Sequence, residues 1–416
     1  MIRSFKNILH LFDALLAATF FRFPARQMTV IGITGTSGKT STTHLLYEIL
    51  EAASKKVSMI STVAAVINGE KYDTGFHVTT PSPWQLQKFM RQAADGGSKY
   101  FVLEVTSHAL DQHRTFGTSV DIGVVTNIAH EHLDYHGSFD SYKKAKAAIL
   151  DGAEYAVLNK DDNSFAYLSK KSRKRIISFS AKSPADYRLS DFKFKPRIPG
   201  KFNLYNCLAA AAAAMILKID KKFIEKAVAD FDGIPGRMEE IKNNLSFKII
   251  IDFAHKPNAL EQALETARTL TKKRLIVLFG CAGLRDRLKR PIMGKIAANY
   301  SDYAILTAED PRTEDVRDII CQIAKGCKEG GMIEKRKGNK ENKLTRDFKK
   351  YFWCIPDRQE AINFAIRRIA GKGDTILLCG KGHEQSMCYG TTEYPWDERR
   401  AIAKALYGTV KNVSKV

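Results

Sequence analysis

The chain is short of acids. It carries 45 Asp+Glu against 66 Lys+Arg in 416 residues, a net charge of +21. Cysteine is also sparse. The seven cysteines form no CxxC pair and no Cys/His comb, which argues against a zinc site. Their odd number and scatter fit reduced thiols in a cytoplasmic protein. Cys321 and Cys327, six apart, are expected to be buried helix residues. No segment is apolar for long enough to cross a membrane. No aromatic pattern of the RNP kind and no helix-turn-helix signature accompanies the basic charge, so no nucleic-acid partner is expected. With 27 glycines and 12 prolines the chain is neither collagen-like nor a linker array. What it does have is 44% hydrophobic residues, enough for real cores, and a length that suggests two or three domains.

Residues 1–27 read as an apolar helix. Phe5, Leu9, Phe12, Leu16, Phe20 and Phe23 recur at spacings of three and four. His10 and Asp13 interrupt the run, which argues against a signal peptide or a spanning helix. Two readings stay open: a helix packed on the following domain, or an interfacial helix at the inner membrane face, favoured by the basic flank Arg3 and Lys6.

Met28–Thr34 is a short β-rich apolar run, as a buried parallel strand requires. Gly35-Thr36-Ser37-Gly38-Lys39-Thr40-Ser41 follows, then a helical stretch His44–Ala53. Strand, glycine loop and helix make a phosphate cradle. Glycines let backbone N–H groups approach phosphates, Lys39 supplies a point charge, and the Thr40 hydroxyl can ligate Mg²⁺. Position 33, where the common Walker loop has glycine, is isoleucine, so this is a tighter G-T-x-G-K-T form. ATP is the expected nucleotide.

That variant loop resembles the one in the Mur ligases and folylpolyglutamate synthases, and further segments extend the resemblance. Thr79-Thr80-Pro81 resembles a TTP substrate segment. Glu104 to Leu110 with Gln112-His113-Arg114 resembles EVSSHALxQHR, with Thr106 where serine is usual. Asn127 and Glu131 to Gly137 resemble TN…DHLDYHG, and Tyr142 to Lys146 matches YxxAK. Asn203 and Asn206 stand in FNxYN, Arg237 in PGRME, Asp252 and His255 in a DYAH-like run. Cys281 to Asp286 is similar to CGGDRD, with Leu284 for an acid. Glu309-Asp310-Pro311-Arg312 is similar to DNPR, Asp357-Arg358 to the end of IPDR, and Gly380 to Glu384 matches GKGHE. In this order the segments resemble the Mur ligase family, nearest its MurE type.

The resemblance implies an α/β chain with a central P-loop ATPase-like domain, 28–232, and a C-terminal Rossmann-like doubly wound domain, 233–416. Strands at Lys248–Ile251, Arg274–Phe279, Tyr303–Thr307 and Thr375–Leu378 agree with the second. Residues 330–350 read as a surface loop. The family's N-terminal UDP-binding domain is expected to be missing, with residues 1–27 in its place.

The implied reaction is ATP-dependent amide ligation through an acyl phosphate, with ATP and Mg²⁺. A muramoyl-dipeptide precursor would accept an amino acid in peptidoglycan synthesis. Lys39, Glu104, His132 and Lys146 are the implied catalytic set. Thr40, Glu104, His132 and a carbamylated Lys146 are the implied metal contacts. Gly35 to Ser41, Asn203, Asn206, Arg237, Asp252, His255, Asp357 and Arg358 would hold the nucleotide. On residue chemistry alone, Asn203 and Asn206 could equally be helix N-caps. Thr79, Thr80, Thr106, Gln112 and Arg114 would meet the acceptor. Arg285, Glu309, Asp310, Pro311, Arg312, Gly380 and Glu384 would meet the amino acid. Arg312 can clamp a carboxylate bidentately and Glu384 can pair an ammonium, which favours meso-diaminopimelate over lysine. Three alternatives stay open: a lipid-linked or free muramyl peptide acceptor, a folate- or polyglutamate-like acceptor, or a weakly active ATP-binding partner subunit. The surplus of base lies in two stretches, 160–201 and 335–350, and is read as solvated surface or as attraction to an anionic membrane.

Overall fold

The computed structural model describes residues 2–72, 79–129, 133–172, 175–336 and 349–408. The chain divides into two compact units, Met1–Asp232 and Gly233–Val416.

The first unit opens with helix α1, Ile2–Phe20. No proline or glycine interrupts it. Two left-handed residues, Arg22 (φ 57°) and Phe23 (φ 47°), end it, with Pro24 directly behind. The helix packs on the unit, but not through the expected stripe. Ala14, Ala17 and Ala18 are fully buried, whereas Phe12, Leu16 and Phe20 are 59%, 62% and 69% exposed. The alanines allow close approach: a Cβ on Gly117 would collide with the Ala18 methyl. Asn7 Nδ2 donates to the Asp111 carbonyl at 2.8 Å, and Trp84 Nε1 donates to Asp13 Oδ1 at 2.7 Å.

A nine-stranded sheet follows, built from β1 (Thr29–Thr34), β2 (Val57–Ile60), β3 (Ala65–Ile67), β4 (Glu70–Tyr72), β5 (Tyr100–Glu104), β6 (Ile122–Val125), β7 (Tyr155–Asn159), β8 (Arg175–Ser180) and β9 (Tyr187–Arg188). Their order is β4-β3-β2-β5-β1-β6-β7-β8-β9, parallel except for β2-β3 and β3-β4. In β1 every residue after Thr29 is buried, as expected of a central parallel strand covered on both faces. Helix α2 (Lys39–Ala52) leaves the C-terminal end of β1, and α3 (Pro83–Asp95) carries Trp84. The helix Lys201–Ile216 is apolar around its whole circumference from residue 207 onward. Ala209 to Ala214 are all fully buried, the state such a helix requires.

The second unit holds β10 (Glu239–Glu240), β11 (Lys248–Asp252), β12 (Leu275–Phe279), β13 (Tyr303–Leu306), β14 (Ile333–Glu334), β15 (Tyr351–Cys354) and β16 (Thr375–Cys379). The order is β10-β11-β16-β12-β13-β15-β14, parallel apart from the β10 edge. Buried strands and flanking helices make it doubly wound, as the sequence implies. A hairpin, β17 (Ser386–Tyr389) with β18 (Thr392–Pro395), stands beside it. Within the expected surface loop 330–350, Ile333–Glu334 instead pairs with Tyr351–Phe352 as an edge strand, and 337–348 lie outside the described residues. Cys327 is buried as expected, but Cys321 is exposed, because the two lie six apart on one helix and so face different sides. Among the described residues no helix is long and apolar enough to cross a membrane.

Candidate active site

The glycine loop sits at the C-terminal end of β1, where parallel α/β sheets present functional groups. Its glycines are dictated by close neighbours. A Cβ on Gly35 would strike Thr126 Oγ1, and one on Gly38 (φ 82°) would strike Asn206 Oδ1. The loop is then held by side chains from the next strand end. Asn127 Oδ1 accepts from Ser37 N at 3.0 Å, and Thr126 Oγ1 donates to the Ser37 carbonyl at 2.7 Å. Thr36 Oγ1 lies 3.0 Å from the Tyr142 hydroxyl. Lys39 Nζ arches back over the loop to the carbonyls of Gly35 and Thr36, at 3.0 and 3.2 Å. Ser41 stands in the first turn of α2.

Below the loop is a buried carboxylate. Glu104 ends β5, accepts from Thr40 Oγ1 at 3.0 Å, and accepts from Thr62 N and Thr62 Oγ1 at 2.8 and 2.9 Å. Thr62 was invisible in the sequence: nothing in its local pattern sets it apart. Thr79 Oγ1 lies 3.1 Å from Thr62 Oγ1, and Thr80 Oγ1 donates to the Glu104 carbonyl. Thr106 caps the short helix Ser107–Asp111 and receives the Ala109 N–H. Arg114 donates to the Thr80 carbonyl at 2.9 Å. Gln112 turns the other way, to the Tyr135 hydroxyl, which in turn donates to Asp111.

Lys146 is buried. Its Nζ lies 2.6 Å from the Gly35 carbonyl and 4.8 Å from the Tyr142 ring centroid. Its neighbour Lys144 is exposed. His132 lies outside the described residues. Asn203 and Asn206 are buried inside the helix Lys201–Ile216, whose N-cap is Gly200, so neither is a cap. Asn203 Nδ2 donates to the Pro199 carbonyl, and Asn206 Nδ2 to Asn203 Oδ1.

An ATP-magnesium group fits these residues. The loop is a cradle that any Cβ would fill, and the Thr40–Glu104 pair is an all-oxygen donor set of the kind hard Mg²⁺ takes.

The second unit gathers its own polar cluster. Asp252 accepts from Met238 N and Ala254 N, each at 2.8 Å, and desolvation pushes its carboxyl up. Arg237 stacks over Phe253, 4.6 Å from the ring centroid. His255 hydrogen-bonds the Phe253 carbonyl, and burial, then Lys256 and Lys289, hold it well below the usual imidazole range. Lys381 Nζ bridges Asp310 Oδ1 at 2.8 Å and Glu384 Oε2 at 2.7 Å. Glu309 is buried against Gly380, and its Oε2 has no hydrogen-bond partner. Pro311 is buried, Arg312 (φ 53°) donates to the Gly283 carbonyl at 2.9 Å, and Arg285 is exposed.

Arg358, an expected nucleotide contact, is set in the interior of the second unit. The Arg358 side chain is wholly buried, with its fork spent on Glu398 and on the carbonyls of Ala308 and Cys379. It ties the interior of the second unit together, with four of its five N–H donors engaged there. Asp357 caps the helix Arg358–Phe364.

Glu309 gives a pH signature. Burial raises its carboxyl from 4.5 to about 7. Between those values the folded state keeps the proton and the unfolded state releases it, so this group's contribution falls as pH rises and levels off above 7. His383, lowered by burial to about 4, has the opposite slope, so only a difference isolates Glu309. Relative to wild type, Glu309→Gln should gain up to about 3 kcal/mol between pH 5 and 8 in urea unfolding. A difference that stays flat with pH would refute this.

Comparison with known proteins agrees with these features. Residues 33–214 match the Mur ligase middle domain, and residues 236–382 match the Mur ligase, glutamate ligase domain. The UDP-N-acetylmuramoyl-L-alanyl-D-glutamate--2,6-diaminopimelate ligase of Geobacillus thermodenitrificans is 34% identical over 94% of this chain and 81% of its own length. The UDP-N-acetylmuramyl-tripeptide synthetase of a Roseiflexus species is 37% identical over 94% of this chain and 82% of its own length. Among solved structures, a UDP-N-acetylmuramoyl-L-alanyl-D-glutamate--2,6-diaminopimelate ligase is similar with a TM-score of 0.60 and 28% identity, over 91% of this chain and 78% of that one. E. coli FolC in complex with DHPP and ADP shares the fold, with a TM-score of 0.67 at 19% identity, over 88% of this chain and 89% of its own. With a phosphate loop, a buried carboxylate beneath it and relatives of this extent, the chain belongs to the Mur ligase family and is an ATP-dependent ligase of its MurE type.

Proposed function

We propose that the enzyme adds meso-diaminopimelate to a muramoyl-dipeptide precursor in cytoplasmic peptidoglycan synthesis. A carboxylate oxygen of the acceptor attacks the γ-phosphorus of ATP, the β–γ bridging bond breaks, and ADP leaves. The amine of the incoming amino acid then attacks the acyl carbon of the resulting acyl phosphate. The carbon–oxygen bond to phosphate breaks, phosphate leaves, and the nitrogen gives up its extra proton.

Such transfer between anions is catalysed by positioning and by positive charge. Amides of the loop around Gly35 and Gly38 would hold the phosphates, and Lys39 lies over the same loop as a cation. Thr40 and Glu104 would hold Mg²⁺, which neutralises phosphate charge when bound. Thr80, Thr106 and Arg114 stand next to Glu104 and supply donors for the acceptor. A carbamylated Lys146 would add a fixed anion beside Gly35. The names of the two relatives both specify a UDP-linked muramyl compound.

The observation that carries the choice of amino acid is Arg312. Its left-handed backbone and its single bond to the Gly283 carbonyl leave most of the guanidinium fork to receive a distal carboxylate. Glu384, paired with Lys381, would meet the ammonium of the incoming amino acid. Arg312→Ala should therefore lower kcat/KM for diaminopimelate about 100-fold and leave lysine within a few-fold, the span of a lost charge-assisted bidentate pair. Mass spectrometry of products from paired amino acids reads this directly. Equal losses for both amino acids would sink the assignment.

A further inference from the structure

Helix α1 is apolar on two opposite faces, and only one is used. The alanine face docks on the first unit. On the other side Ile8, Leu9, Phe12, Leu15, Leu16, Thr19 and Phe20 are all exposed. At 100° per residue they cover roughly 140° of the circumference without one charged group. The patch continues off the helix: the Phe20 and Trp84 ring centroids are 5.6 Å apart, and Trp84 is 40% exposed. A contiguous apolar surface of this kind marks an interaction site.

Its surroundings select the occupant. Residues 1–30 contain four Lys+Arg and one acid, Asp13, whose Oδ1 accepts from Trp84 Nε1. Arg22 and Arg26 are exposed just beyond the helix end. Lys88 is exposed one turn along α3 from Trp84, and Arg91 one turn further, where Asp95 pairs with it. A convex apolar ridge with an aromatic end and a basic rim complements a surface that is apolar within and anionic outside. A second copy is disfavoured, since both would carry +21. The helix is not long and apolar enough to span a bilayer, so it would lie along one.

We propose that α1 is a membrane-docking helix that lays Ile8, Leu9, Phe12, Leu16 and Phe20 into the interface of an anionic lipid bilayer. The docked side chains are those the fold leaves exposed, so attachment and folding are separable.

Vesicle flotation of the full chain tests this, with phosphatidylcholine alone and with phosphatidylcholine mixed with phosphatidylglycerol. At low salt the chain should float with the mixed vesicles and not with phosphatidylcholine alone. Phe12→Ser combined with Leu16→Ser should reduce partitioning about tenfold or more, with thermal unfolding and ATP binding unchanged. Phe12→Trp should retain flotation, with its emission shifting to the blue on adding mixed vesicles. Failure of the wild type to float, or flotation of the double-serine variant equal to wild type, would overturn the proposal. So would an unshifted emission from the Phe12→Trp variant. A wild-type dimer in light scattering that the double-serine variant dissolves would instead assign the face to a second copy and also overturn it.

Discussion

Replacing Lys146 by alanine is expected to cut ligase turnover about 10²–10³-fold, the loss that follows removal of one preorganised group from a phosphoryl-transfer site. Arginine at the same position separates two roles. The Lys146 amine is 2.6 Å from the Gly35 carbonyl, so a purely cationic role would be to brace the phosphate loop. An arginine could take over much of that role. Under the carbamate role the amine nitrogen bonds CO₂ carbon, loses a proton and becomes an anion. Arginine would then be as inactive as alanine, glutamate would restore part of the rate, and wild-type activity would fall when bicarbonate is stripped. An arginine variant near wild-type turnover would refute the carbamate.

Arg358→Ala should have the largest effect on stability. Both members of the Arg358–Glu398 pair are wholly buried, and Glu398 also accepts the Trp396 indole N–H at 2.8 Å. Removing the arginine strands a carboxylate in the interior and leaves two carbonyls without their donor. A cost of about 3–5 kcal/mol is expected in chemical denaturation. Replacing both partners by methionine should recover part of it, because no uncompensated charge remains. Affinity for ATP in the folded fraction should be unchanged. An alanine variant of normal stability with weakened ATP binding would return Arg358 to the adenosine contact that its motif suggests.

The contrast between these two residues shows where the sequence was informative. Strands that end at functional loops were legible because buried parallel strands are continuous apolar runs. The expected Met28–Thr34, Arg274–Phe279 and Thr375–Leu378 differ from the observed strands by one residue at an end. The glycine loop was legible because the backbone geometry there tolerates no side chain. Residues whose role depends on distant partners were not. Thr62 reaches Glu104 across 42 positions, and Arg358 finds Glu398 across 40. No local pattern carries that information. The antiparallel hairpin Ala65–Ile67 with Glu70–Tyr72 was also unforeseen, since each strand is only three residues long. Helix α1 was legible as a helix but not in orientation. A bulky stripe is normally the buried one, and here small residues were selected for contact because Gly117 allows the backbones to approach.

The Ala18–Gly117 contact also bears on how this part of the chain can vary. Growth by a single methyl group at position 117 would lift α1 from its seat, whereas whole aromatic rings on its outer side can be exchanged without touching the fold. A library of substitutions across residues 7–20 should therefore show inverted tolerance. The small, chemically unassuming positions 14, 17 and 18 would admit almost nothing, and the large positions 12, 16 and 20 would admit nearly anything when survival of the folded chain is scored. Scored instead for location in the cell, the same library should invert. One short helix would then record two independent selections, on opposite sides of its axis.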